Sequence, residues 1–152
     1  MTAAVAEDTT LVMTRMFDAP PGRVFDAWLN REEWQGWIGP PGVACEVPLL
    51  EPRVGGRYRI NMTLSSGQVI PVAGVYKVID RPRTLVMTWA WDGDPARQSL
   101  LTLEFADRAG RTELTLRQEG LATRANRDDH NRGWLGTLGK LESYLAGTAA
   151  AA

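Results

Sequence analysis

The sequence predicts an α+β domain. A curved antiparallel sheet of six to seven strands is expected, with two short helices after the first strand and a long C-terminal helix packed across the sheet. Three observations carry this. Between residues 44 and 118 the chain is a series of short β-branched and aromatic segments, separated by turns rich in Gly, Pro, Asp and Ser. Short links between successive strands favour antiparallel hairpins. Residues 123–146 then carry apolar side chains at helical spacing. Sheet and helix each have one apolar side, so each buries it against the other.

Taken in order, Leu11 to Phe17 (LVMTRMF) reads as the first strand. Asp18-Ala-Pro-Pro opens a helix, with Asp18 in the cap region and the prolines in the first turn, where a missing N–H costs nothing. Val24, Phe25, Trp28 and Leu29 form its apolar face. A second short helix spans Arg31 to Trp37 and stops at Gly39-Pro40-Pro41-Gly42. Strands are expected at 44–50, 56–64, 69–79, 84–91, 99–105 and 112–118. In the last helix Trp134, Leu138, Leu141 and Leu145 share one arc, with Leu135 beside it and His130 one turn earlier. Gly136, Gly139 and Ser143 fall on the opposite face, expected to be wet. A twisted sheet cannot follow a straight helix along its whole length, so a pocket is expected between them.

Residues 1–10 read as a flexible N-terminus, 11–146 as one domain and 147–152 as a flexible tail. The chain has 152 residues, 44% of them hydrophobic and 23% charged, as in an ordinary globular protein. The formal net charge of −1 gives no reason to expect nucleic acid or an anionic membrane as a partner. The single cysteine, Cys45, excludes an internal disulfide and a Cys-rich zinc site. No secretory signal and no apolar run long enough for a spanning helix is read, so the cytoplasm is the expected location. No cofactor is expected.

Several motifs resemble those of a known family. Trp37-Ile-Gly-Pro-Pro-Gly42 is similar to a Trp-Gly-Pro turn. Glu51-Pro-Arg-Val-Gly-Gly56 resembles an Arg-x-Gly-Gly turn before the third strand. Gly74-Val-Tyr76 with Arg83-Thr-Leu-Val-Met-Thr-Trp89 resembles a central hairpin, and His130-Asn-Arg-Gly-Trp134 a His-x-x-Gly-Trp helix start. Together they resemble the START-like (SRPBCC) superfamily, in the branch named after the activator of heat-shock-protein-90 ATPase, over about residues 11–145. The resemblance implies a helix-grip fold. Val78 departs from the pattern, where an acidic residue is expected, and so does Gln118, where a His is common. In the eukaryotic co-chaperone of that name, a separate domain that contributes to chaperone engagement precedes this one. No counterpart is read before Leu11, so a chaperone partner is the weaker implication.

The expected ligand is a small apolar or amphipathic molecule, held between sheet and helix by Trp37, Tyr58, Met62, Tyr76, Trp89, Trp91, His130 and Trp134. The six tryptophans suit both a core and a pocket wall. Trp89 and Trp91 share a strand face with Leu85 and Met87, while Tyr58, Ile60 and Met62 face inward from another strand and leave Arg59 outside. A bulge would instead turn Arg59 into the pocket, where it would hold a carboxylate. His130, the only histidine, has the pKa of a general base or of a donor to a ligand. No second catalytic group stands at a fixed spacing from it, which favours a structural role. Asp128 and Asp129 read as helix-start acids rather than metal ligands, and Cys45 as an inert thiol. Binding is therefore expected rather than catalysis. The alternatives are a cyclase, dehydratase or hydrolase using the same pocket, and a protein-interaction domain or homodimer.

Overall fold

The computed structural model describes residues 9–151, except the side chains of Pro95 and of residues 148–151. The expectations for residues 1–8 and 152 lie outside this range. The element order is β1 (Leu11–Phe17), α1 (Pro21–Leu29), α2 (Arg31–Trp37), β2 (Ala44–Leu50), β3 (Arg57–Thr63), β4 (Val69–Asp80), β5 (Thr84–Trp91), a 3-10 turn (Pro95–Arg97), β6 (Gln98–Arg108), β7 (Arg111–Glu119) and α3 (Arg124–Ala151). The strands form one antiparallel sheet of seven in the order β1-β7-β6-β5-β4-β3-β2. Every link from β2 to β7 joins neighbours, and β1 closes onto β7. Register shifts between Glu46 and Leu49 and between Tyr76 and Val78 bend the sheet, as bulges do. Among the described residues no helix is long and apolar enough to cross a membrane.

Alternation along the strands sends one set of side chains toward α3. Tyr58, Ile60 and Met62 from β3, Leu85, Met87 and Trp89 from β5, and Leu114, Leu116 and Gln118 from β7 are all buried. Trp134, Leu138, Leu141 and Leu145 of α3 meet them. Arg59 stays on the outer face, where its Nε donates to Asn61 Oδ1 at 3.0 Å. α1 and α2 plug one end. Asn30 joins them and caps α2 by accepting the Glu33 N–H at 3.0 Å.

The structure corrects several expectations. Asp18 does not cap α1. Pro20 holds the cap position without a side-chain bond, and the Asp18 carboxylate faces the Arg111 guanidinium at 3.5 Å instead. α3 continues to Ala151. The face of α3 carrying Gly136, Gly139 and Ser143 is wet only in part: Ser143 is exposed, but both glycines are half-buried. A Cβ on Gly136 would stand 2.6 Å from Pro41 Cδ, and Gly139 is half-buried close to Arg15. The loop after α2 lies along that side of the helix, and glycine is what lets it come so near. Lys140 holds the same loop, its Nζ donating to the carbonyls of Ile38 at 3.3 Å and Gly39 at 3.1 Å. Leu135, placed beside the apolar arc, is exposed. Asp128 and Asp129 lie past the first turn of α3 and pair with Arg127 and Arg132.

Candidate functional site

A cavity of about 520 Å³ opens between the start of α3 and the sheet. That volume is in the range of small-molecule sites, about 300–1,000 Å³. Its inner wall is made by Met62 of β3, Ile70 of β4, Trp89 and Trp91 of β5, and Trp134 of α3. The loop after α2 closes one side through Ile38, Pro40 and Val43, and the β3–β4 hairpin another through Leu64, Gln68 and Val69. Polar groups gather where α3 begins and β5 ends: Asp92, Arg97, Asn126, Asp129 and His130. The site is thus mainly apolar, with its charged groups on one rim, an arrangement that suits a ligand with unequal ends.

Five of the eight expected contacts line this cavity: Met62, Trp89, Trp91, His130 and Trp134. Trp37, Tyr58 and Tyr76 do not. Trp37 is fully buried against Trp28, with ring centroids 4.8 Å apart, and its Nε1 donates to the Ala27 carbonyl at 3.2 Å. Tyr58 donates its hydroxyl to the Thr88 carbonyl at 2.5 Å. Tyr76 packs on Tyr58 at 5.5 Å, and its buried hydroxyl has no partner among the described residues. Burial pushes both phenol pKa values up, so both stay neutral. Tyr58 does face inward, with Ile60 and Met62. What strand alternation does not report is position along the sheet, and these three rings lie beyond the cavity.

The rings that line the site form a continuous wall. Trp89 and Trp134 stand 5.1 Å apart, and Trp89 meets Trp91 edge-on at 6.4 Å. Trp91 in turn meets His130 at 5.6 Å. A buried polar chain fixes Trp134. Its Nε1 donates to Gln118 Oε1 at 2.8 Å, Gln118 Nε2 donates to Ser99 Oγ at 2.8 Å, and Ser99 donates to the Trp89 carbonyl at 3.2 Å. The sequence departure at Gln118 therefore has a structural role: the amide supplies an acceptor and a donor in one plane.

His130 has both ring nitrogens engaged. The Asn126 carbonyl lies 2.8 Å from Nδ1, and a carbonyl only accepts, so Nδ1 carries the proton. The Trp91 indole N–H donates to Nε2 at 2.7 Å, so Nε2 offers its lone pair. This neutral tautomer is the only one that satisfies both neighbours. Burial lowers the His130 pKa, outweighing the Asn126 carbonyl and Asp129, which raise it. A general base needs a free lone pair, and this one already receives a proton donor. Cys45 is half-buried, and burial raises its thiol pKa against the opposing pull of Lys140, which keeps it a thiol. Among the described residues no group of three His, Cys, Asp or Glu side chains is placed to hold a metal.

Sequence reasoning missed the side walls. Leu64, Gln68, Val69 and Ile70 of the hairpin and Ile38, Gly39, Pro40 and Val43 of the loop line the site, brought there by tertiary packing rather than by any local pattern. The Gly-Pro-Pro-Gly turn is the one available signal, and it reads as a helix stop and a family-like turn rather than as a pocket wall.

The model of the family described as Activator of Hsp90 ATPase homolog 1-like protein matches residues 18–146. A crystal structure of a Chromobacterium violaceum protein is similar at 26% identity and a TM-score of 0.83, over 89% of this chain and 95% of that one. A Silicibacter pomeroyi protein bearing the AHSA1 name is similar at 26% identity and a TM-score of 0.79, over 90% and 97%. An Arthrobacter aurescens protein shares the fold at 19% identity and a TM-score of 0.83, over 93% and 88%. None of the curated proteins matches the chain.

Proposed function

The chain belongs to the Activator of Hsp90 ATPase homolog 1-like family, and on that premise we propose that it is a small-molecule-binding module whose ligand enters the cavity between the sheet and α3. The observation that carries this reading is the cavity itself: about 520 Å³, walled by Trp89, Trp91, Trp134 and Met62, with its charged groups on one rim. An apolar or amphipathic molecule of modest size would exchange water for aromatic surface there, a gain of about 25 cal/mol per Å² buried. The engaged state of His130 supports binding over proton transfer.

Tryptophan emission reads the site directly, because three of the lining residues are indoles. Titration with a panel of lipid-like, aromatic and polyketide-like compounds should quench or shift the emission for at least one class. The same compound should raise the melting temperature, since a ligand at a hundred times its Kd stabilises by about 2.7 kcal/mol. A panel that gives neither response would remove the binding reading. If a turnover is found instead, His130→Ala should leave it largely intact.

A further inference from the structure

The charges around the cavity are already matched to one another. Arg97 donates from Nη1 to Asp92 Oδ2 at 2.9 Å. Asp129 pairs with Arg132, which stands one turn further along α3. His130 is neutral and bonded through both nitrogens. The polar groups left with free capacity are uncharged. The side-chain amides of Asn126 and Gln68 make no hydrogen bond among the described residues, and both residues line the cavity. Thr137 lies deeper. Its hydroxyl donates to the Gly133 carbonyl at 2.8 Å, so its oxygen is left as an acceptor.

A carboxylate or ammonium entering this site would lose hydration and gain no unmatched counter-charge. Uncompensated desolvation of an ion is among the larger penalties in proteins. A neutral head loses far less, and amide and hydroxyl groups can meet its donors and acceptors. The apolar wall of Trp89, Trp134, Met62 and Ile70 takes the rest of the molecule. Building on the binding reading above, we infer that the cavity selects uncharged amphiphiles, with an apolar body and an alcohol, ketone or amide head, over acids and amines of the same length.

The test is a matched series of decanol, decanamide, decanoate and decylamine, titrated into the full chain near neutral pH and followed by calorimetry and tryptophan emission. Decanol and decanamide should bind at least about tenfold more tightly than either charged member. In Asn126→Ala, decanamide should lose several-fold in affinity while the ligand-free melting temperature holds. Decanoate or decylamine binding as tightly as decanamide would overturn the inference and leave the binding reading standing. Preference for decanoate that disappears in Arg97→Ala would overturn it too, and would assign the exposed Arg97–Asp92 pair as an anion clasp. Failure of all four to bind would count against both readings. Unchanged decanamide affinity in Asn126→Ala would remove Asn126 as the head-group contact.

Discussion

The Trp91 indole N–H points at Nε2 of His130 across 2.7 Å, tying the last residue of β5 to the first turns of α3. The bond exists only while His130 is neutral. A protonated ring would present an N–H to an N–H, and one of the two would have to turn away. The other groups near the ring are the Asn126 carbonyl and Asp129, which favour the charged form, and the Arg97–Asp92 pair across the mouth. Desolvation outweighs the Asn126 carbonyl and Asp129.

Acidification should therefore break this contact, but only below the usual histidine range. The sign follows from linkage. A folded pKa below the unfolded value of about 6.5 means that the unfolded chain takes up the proton first. His130 thus stabilises the fold fully above that value, and the contribution falls away as pH drops toward the folded pKa. Because the chain has one histidine, its ring resonances report this without ambiguity. The NMR midpoint should lie below 6.5, with a parallel change in tryptophan emission that is absent in His130→Ala. A midpoint at or above the ordinary value would contradict the account of the bond.

Gln118→Leu keeps the volume of the residue but leaves the Trp134 N–H without its acceptor and the Ser99 oxygen without its donor. Orphaning buried polar groups costs about 1–3 kcal/mol each. Chemical denaturation should show a loss in that range, and ligand binding should weaken because Trp134 is a cavity wall. Gln118→Glu, which keeps the acceptor, separates the Trp134 bond from the Ser99 bond.

The two buried tyrosines should respond in opposite directions to loss of the hydroxyl. Tyr58→Phe removes the donor to Thr88 and should destabilise by about 1–2 kcal/mol. Tyr76→Phe removes a buried hydroxyl without a partner and should be neutral or stabilising by up to about 1 kcal/mol. Melting temperatures of the pair decide it, and a matching loss in both would show that Tyr76 has a partner.

Gly74→Ala should be among the most damaging single substitutions. Its Cβ would meet the Thr88 carbonyl oxygen and would come within 2.7 Å of the Tyr58 hydroxyl. Both are held, so the strand must shift, at a cost of about 3 kcal/mol or more. Little soluble protein is expected, and pairing the change with Tyr58→Ala should recover only part of the loss.

How much of this was legible in the sequence differs between element and site. The strands of the meander were readable because each carries a period of two between turn residues. Their inward faces followed directly, as Tyr58, Ile60 and Met62 show. Depth along the sheet was not readable. Tyr76 and Trp89 both face inward from adjacent strands, yet only Trp89 reaches the cavity. A bulge follows Tyr76, and the loop after α2 lies against Gly136; both are products of tertiary packing. Gln118 was noticed as a departure, but its partners stand on β6 and α3 and no local pattern names them.

The pairing of β1 with β7 also bears on how the chain reaches this structure. Thr14 and Thr115 face each other across the strands although they are 101 positions apart. Every other strand pair is a local hairpin that can form as soon as its turn is made. This one waits until β7 exists, so most of its loop-closure entropy is lost late. Until then β7 presents an open edge, bordered by Leu114 and Leu116, which a second nascent chain could capture. Refolding yield should accordingly fall with protein concentration, and β1 variants such as Met13→Asp should show it first.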